Sequence, residues 1–185
     1  MRQATKMKTS TDNASVGNKV FLRRKATEHL GELRVLDLYA GNNVLWRNIE
    51  TERYYGVELL PDKGANLNAD ARQALASLDL SAFNVIDCDT YGIPFEVCHS
   101  LLNDPSVASG TVIIYTAICN IFTRVPNACL EMFGLRELYN AAPSLFNRNA
   151  LYFFYEMLAR LGVRQLHYYQ VNGSYQKRYG YFIKP

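Results

Sequence analysis

Eight consecutive residues without a charge, GTVIIYTA at 110–117, constrain this chain more than any other feature. A strand that offers no polar face to water must be covered on both sides, the situation of a strand inside a parallel sheet. Three shorter runs share this character: RVLDLYAG at 34–41, RYYGVEL at 53–59 and AFNVIDCD at 82–89. Between and around them lie stretches with helical spacing. NKVFLRRKATEHL at 18–30 has Val20, Phe21, Ala26 and Leu30 as apolar points and Gly31 as its stop. NVLWRNIE at 43–50, DARQALASL at 70–78 and PFEVCHSLLN at 94–103, opened by Pro94, read as helices. FNRNALYFFYEMLARLG at 146–162 is a longer one that stops at Gly162. The last 23 residues, from Val163, read as two strands around the turn Asn172-Gly173. Strands alternating with helices predict an α/β fold. Its sheet is mostly parallel with an antiparallel terminal hairpin, and helices cover both faces.

At 185 residues the chain suits a single domain over 18–185, preceded by a flexible basic arm over 1–17. No apolar run approaches the roughly 18 residues of a membrane span, and the polar opening MRQATKMKTSTDNAS lacks the apolar centre of a secretory signal. The four cysteines form no CxxC pair and no zinc spacing, which predicts free thiols and a cytoplasmic location. His29, His99 and His167 are dispersed, so no metal site is expected. Neither a G-x-S-x-G elbow nor a phosphate-binding Walker loop is present. The aromatic run Tyr152 to Tyr155 reads as helix-to-sheet packing. Charge is polarised: residues 1–25 carry seven Lys or Arg against one Asp, and residues 160–185 carry five and no acid. If the two ends lie together, they form a basic face suited to a phosphate backbone.

In a parallel sheet ligands bind beyond the carboxyl ends of the strands. Asp37, Glu58, Asp87 and Asp89 fall at those ends. Gly41 closes a tight turn after the first strand, and Glu58, 21 residues beyond Asp37, can accept both hydroxyls of a ribose. A dinucleotide needs a glycine-rich G-x-G-x-x-G turn for its pyrophosphate. This turn has one glycine, and Asp37 would repel a pyrophosphate. A cationic sulfonium nucleoside fits better.

The series VLDLYAG, GVEL, NADA, NVIDCDTYGIP and GTVIIY resembles, in order and spacing, the class I S-adenosylmethionine-dependent methyltransferases over residues 34–117. The resemblance implies a Rossmann-like sheet of seven strands and S-adenosylmethionine as cofactor. It implies that Asp37, Tyr39, Ala40, Gly41, Asn42 and Asn43 surround the methionine part, that Glu58 holds the ribose and that Leu59 lies beside the adenine. Asp70 and Ala71 would form the adenine edge, with Asp87 also on the cofactor side. Asn43 stands where many members have a second glycine. The stretch Asp87-Cys88-Asp89-Thr90-Tyr91-Gly92-Ile93-Pro94 is similar to the active-site loop of tRNA guanine-N2-dimethyltransferases, with Thr90 where those carry Pro. Asp89 would then accept from an exocyclic amine and Tyr91 would stack on the base. Asn18-Lys19 before its helix resembles the start of a cofactor-covering segment in some DNA methyltransferases.

These readings imply methyl transfer to a base amine of RNA or DNA. A methyltransferase of the same fold acting on a small molecule or protein is the alternative, as is a non-catalytic cofactor-binding protein, for which Asn43 and Thr90 speak. A partner subunit or a homodimer would serve substrate recognition, as no separate target-recognition domain is evident. Residues 118–145 are expected to form a substrate-facing insert.

Overall fold

A computed structural model describes residues 15–119, 123–171 and 176–185. Most of the expected arm, the Asn172-Gly173 turn and Tyr175 lie outside the described residues. The order is α1 (Val16–Thr27), β1 (Arg34–Asp37), β2 (Arg53–Glu58), β3 (Leu67–Asn68), α2 (Ala71–Ser77), β4 (Val85–Cys88), α3 (Phe95–Asn103) and β5 (Val112–Cys119). Then come α4 (Asn127–Met132), α5 (Arg136–Ala141), α6 (Pro143–Arg148), α7 (Ala150–Arg160), β6 (His167–Val171) and β7 (Gln176–Ile183). The strands form one seven-stranded sheet in the order β3-β2-β1-β4-β5-β7-β6. β7 runs antiparallel to both neighbours, while the other described pairs are parallel.

The alternation of side chains along a strand divides the core. Leu36, Ile86, Ile113, Tyr115 and Phe182 face α2, α3, α4, α6 and α7 in the larger core. Its centre includes Phe154, fully buried between the rings of Phe95 and Tyr115. Truncating such a phenylalanine costs about 3–5 kcal/mol. Val35, Val85, Val112, Ile114 and Tyr179 face the other way, against Leu22 and Ala26 of α1 and against Trp46. The aromatic run divides in the same manner: Phe154 is fully buried, Phe153 packs partly against the core and Tyr152 is exposed.

Three element boundaries differ from expectation. Residues 43–50 form turns rather than a helix. Gly41 and Asn43 both take φ of 52°, outside the helical region. Beyond them, only Arg47 N–H to Asn43 O at 3.3 Å and Ile49 N–H to Trp46 O at 2.8 Å are made. The expected helix over 146–162 is two helices, α6 and α7, because the Asn149 side-chain amide donates to Leu145 O at 2.7 Å and competes with the helical ladder. The first helix stops at Thr27, a turn before Gly31. The segment 118–145, expected as an insert, contributes the end of β5 and then α4 and α5, with Cys129 and Leu130 in the main core.

Candidate active site

The ends of β1 and β2 carry a narrow cradle. Ala40 N–H donates to Val57 O at 2.9 Å, which draws the turn after β1 onto β2. Gly56 permits this approach, since a Cβ there would stand 2.9 Å from the Ala40 Cβ. Gly41 N–H then donates to Glu58 Oε2 at 3.0 Å, and Leu60 N–H donates to Glu58 Oε1 at 3.2 Å. A carboxylate has about four acceptor positions, so Glu58 retains capacity for two more donors. Leu59 beside it is 65% exposed, an apolar surface at the rim. Asn42 is exposed, whereas the carboxamide oxygen of Asn43 is enclosed without a hydrogen-bond partner. Tyr39 lies between the loops after β1 and β4. Burial pushes its hydroxyl up to about 12, against a hydrogen bond with Thr90. Asp70 caps α2, accepting from Arg72 N–H at 3.0 Å in a reciprocal box with Gln73, and these bonds lower its pKa. Ala71 is buried under it.

A second group of charges lies under α1. Asp37 and Asp87 are register partners on adjacent strands and face the same side of the sheet. Asp87 is fully buried, 2.6 Å from the Arg23 guanidinium, and its Oδ2 accepts from Trp46 Nε1 at 2.7 Å. Its Oδ1 has no hydrogen-bond partner. Arg23, only 1% exposed, is held further by Nη1 donating to Lys19 O at 3.0 Å. Asp37 accepts from Tyr54 OH at 3.1 Å and Tyr39 N–H at 3.2 Å. Burial, reinforced by the neighbouring Asp87, lifts the Asp37 carboxyl well above the carboxylate range, with Arg23 opposing. Burial also raises Asp87 against the pull of Arg23. The guanidinium and the indole N–H both lie on Asp87, so burial lifts Asp37 with less opposition than it lifts Asp87. Burial alone would weaken the protonation of Arg23, but Asp87, Asp89 and Asp37 together strengthen it.

Asp89 opens the loop between β4 and α3. Lys19 Nζ donates to both of its oxygens, at 2.9 and 2.8 Å, and Thr116 Oγ1 donates to Oδ1. The loop is pinned by Thr90 N–H to Cys88 O at 2.8 Å and by Ile118 N–H to Gly92 O at 2.7 Å. Tyr91 projects from it, 78% exposed.

The structure therefore brings Tyr39, Ala40, Gly41, Asn43, Glu58 and Leu59 to one cradle and sets Asp89 and Tyr91 on the neighbouring loop, after β4. Asp37 and Asp87 turn inward beneath α1 rather than toward the cradle, and Asp70 serves as a helix cap. Sequence reasoning missed Arg23, Trp46, Tyr54 and Thr116, and named Lys19 only as the start of a cofactor-covering segment rather than as a partner of Asp89. The signal for the two cations was faint: lysine and arginine at i and i+4 lie on one helix face, but they read there as a solvated face. The basic face is correspondingly reduced. Lys19 and Arg23 are consumed internally, and Lys184 donates to Leu101 O at 3.0 Å and Asp104 O at 2.6 Å. Arg178 lies over the rings of Tyr155 and Tyr168.

No family model and no curated protein matches this sequence. Solved structures do. A Haemonchus contortus phosphoethanolamine N-methyltransferase 2, in complex with S-adenosyl-L-methionine, superposes with a TM-score of 0.56 at 11% identity, over 91% of this chain and 52% of that one. Trm1 from Pyrococcus horikoshii, also with S-adenosyl-L-methionine, gives 0.52 at 15% identity, over 91% and 54%. The Escherichia coli protein yhhF, assigned as a methyltransferase, gives 0.52 at 11% identity, over 90% and 85%. This chain spans about half the length of the first two. The fold is thus the Rossmann-like one that these methyltransferases share.

Proposed function

We propose that this chain is an S-adenosylmethionine-dependent methyltransferase acting on the exocyclic amine of a nucleic-acid base in the cytoplasm. The observation that carries the reading is the cradle of Gly41, Asn43 and Glu58 next to a loop that bears the Asp89 carboxylate, 11% exposed, and the exposed Tyr91 ring. The cradle suits the cofactor on its own chemistry. Glu58 has acceptor capacity left for ribose hydroxyls, the enclosed Asn43 oxygen lacks a donor such as an ammonium would provide, and Leu59 offers an apolar rim to a purine. S-adenosylmethionine would supply an electrophilic methyl group on its sulfonium.

The remaining work falls to the chain. An aromatic amine is a weak nucleophile because its lone pair is delocalised into the ring. Lys19 and Thr116 already occupy about three of the four acceptor positions of Asp89. One position is left for an amine N–H, and accepting it would localise the lone pair and offset the growing positive charge. The other N–H needs a backbone carbonyl. Those of Gly92 and Ile93 are taken by Ile118 and Phe95, which leaves Thr90 and Tyr91 as candidates. Tyr91 would hold the plane of the base. As the N–C bond replaces the C–S bond, the nitrogen sheds one proton to Asp89 or to water. Most of the acceleration is positioning.

Labelled methyl transfer to RNA, DNA, protein and small-amine pools tests the proposal. Transfer to a nucleic-acid base is expected, and transfer to none of the pools would contradict it. Asp89→Ala should abolish turnover while cofactor affinity stays within about tenfold, or 1.4 kcal/mol. A comparable loss of binding would move Asp89 to the cofactor. A small-molecule acceptor is the second reading. It is favoured by the internal use of Lys19, Arg23 and Lys184, which removes charge from the face a phosphate backbone would need. No helix among the described residues is long and apolar enough to cross a membrane.

A further inference from the structure

We propose that Lys19 is a positioning residue for methyl transfer, fixing the orientation of the Asp89 carboxylate toward the acceptor amine. The inference rests on the reading of Asp89 given above. Lys19 Nζ bridges the two oxygens of Asp89 at 2.8 and 2.9 Å and leans over the Tyr179 ring at 5.2 Å. Asp89 is thereby held from several elements. Lys19 comes from α1, Thr116 from β5, and the Arg23 guanidinium of α1 stands 3.8 Å away, while Asp87 on β4 and Asp37 on β1 press from the same side. Without the ammonium, Asp89 would have Thr116 and the distant edge of a guanidinium already committed to Asp87.

Anchoring α1 does not require Lys19. Leu22 and Ala26 pack into the second core, and Arg23 is fixed by Asp87 and by the carbonyl of Lys19. Bringing an ammonium out of water to 9% exposure carries a desolvation cost that an apolar side chain of similar length would avoid. What the ammonium adds is specific to Asp89. It is a two-point grip that sets which lone pair faces outward.

The test compares the full chain with Lys19→Met, Lys19→Gln and Lys19→Arg. In crystals of Lys19→Met the Asp89 carboxylate should leave its place beside Thr116, and in Lys19→Arg it should stay. In methyl transfer, Lys19→Met should lower kcat about tenfold or more with KM for S-adenosylmethionine unchanged. Lys19→Arg should restore kcat. Lys19→Gln keeps a donor without the two-point grip, so it should lower kcat as well, even where methionine does not fold. An Asp89 carboxylate that keeps its position in Lys19→Met overturns the proposal. So does a rise in KM for S-adenosylmethionine that accounts for the whole loss, or a kcat that Lys19→Arg fails to restore. If the wild-type chain transfers no methyl group, the functional reading fails, while the crystal comparison still decides whether Lys19 positions Asp89.

Discussion

The least expected residue is Arg23, a guanidinium with 1% of its surface exposed beneath three carboxylates. Removing one partner of such a pair leaves an uncompensated buried charge. Arg23→Met should therefore cost about 3–5 kcal/mol in urea unfolding, and a loss under 1 kcal/mol would contradict the buried pairing. Asp37 makes the opposite prediction. Burial raises its pKa in the folded chain, whereas the unfolded chain releases that proton at about pH 4. The folded state then binds more protons, so stability falls as pH rises from that point toward the folded-state value. Asp37→Asn removes this dependence, so the difference in unfolding midpoint between about pH 5 and about pH 8 should shrink. An unchanged difference would place the proton elsewhere. The acids were legible because they end apolar runs. Their cations were not, since an arginine in LRRK on a helix reads the same whether it faces water or a carboxylate.

Among the elements, the central strands were the most legible, because residues such as Val112 to Ala117 have no alternative to burial. The turn segment after β1 was the least. Its apolar points, Val44, Leu45 and Trp46, fit a helix, but the backbone at Gly41 and Asn43 is left-handed and the chain follows Trp46 to Asp87 instead. The two-residue strand β3 has too little pattern to be read, and the division of α6 from α7 depends on one asparagine side chain. The cradle itself gives a prediction at this scale. A methyl group at position 56 meets the Ala40 Cβ at 2.9 Å and the Tyr54 hydroxyl at 3.1 Å, so the turn after β1 must move away from β2. Gly56→Ala should cost about 1–3 kcal/mol in unfolding and weaken cofactor binding by more than a surface alanine substitution. Full affinity in that variant would mean the Gly41–Glu58 contact does not matter.

Across the whole molecule, the sheet order puts β1 and β4 side by side, with β2 flanking β1 on the far side. That is why Glu58, on β2, and the Asp89 loop, after β4, lie on either side of the turn after β1. The chain also uses its charges to hold its layers together. Arg23 fastens α1 to the end of β4, and Lys184, just beyond β7, caps the last carbonyls of α3. Burial lowers the Lys184 pKa, with Asp104 opposing. Lys184→Met should destabilise the fold by about 1–3 kcal/mol, the cost of leaving those carbonyls unpaired, and no change in thermal midpoint would contradict the cap. Polarised composition in the sequence pointed to an external basic face. In three dimensions part of it became internal, and linear charge counts carry no information on that difference.

On this reading, Glu58 holds S-adenosylmethionine in the cradle at the ends of β1 and β2. Titration calorimetry of the full chain with S-adenosylmethionine, run beside Glu58→Ala, reads that contact. Saturable one-site binding is expected, weakened at least about tenfold in the variant, or 1.4 kcal/mol. No binding, or equal affinity in the two proteins, would rule out Glu58 as the ribose holder.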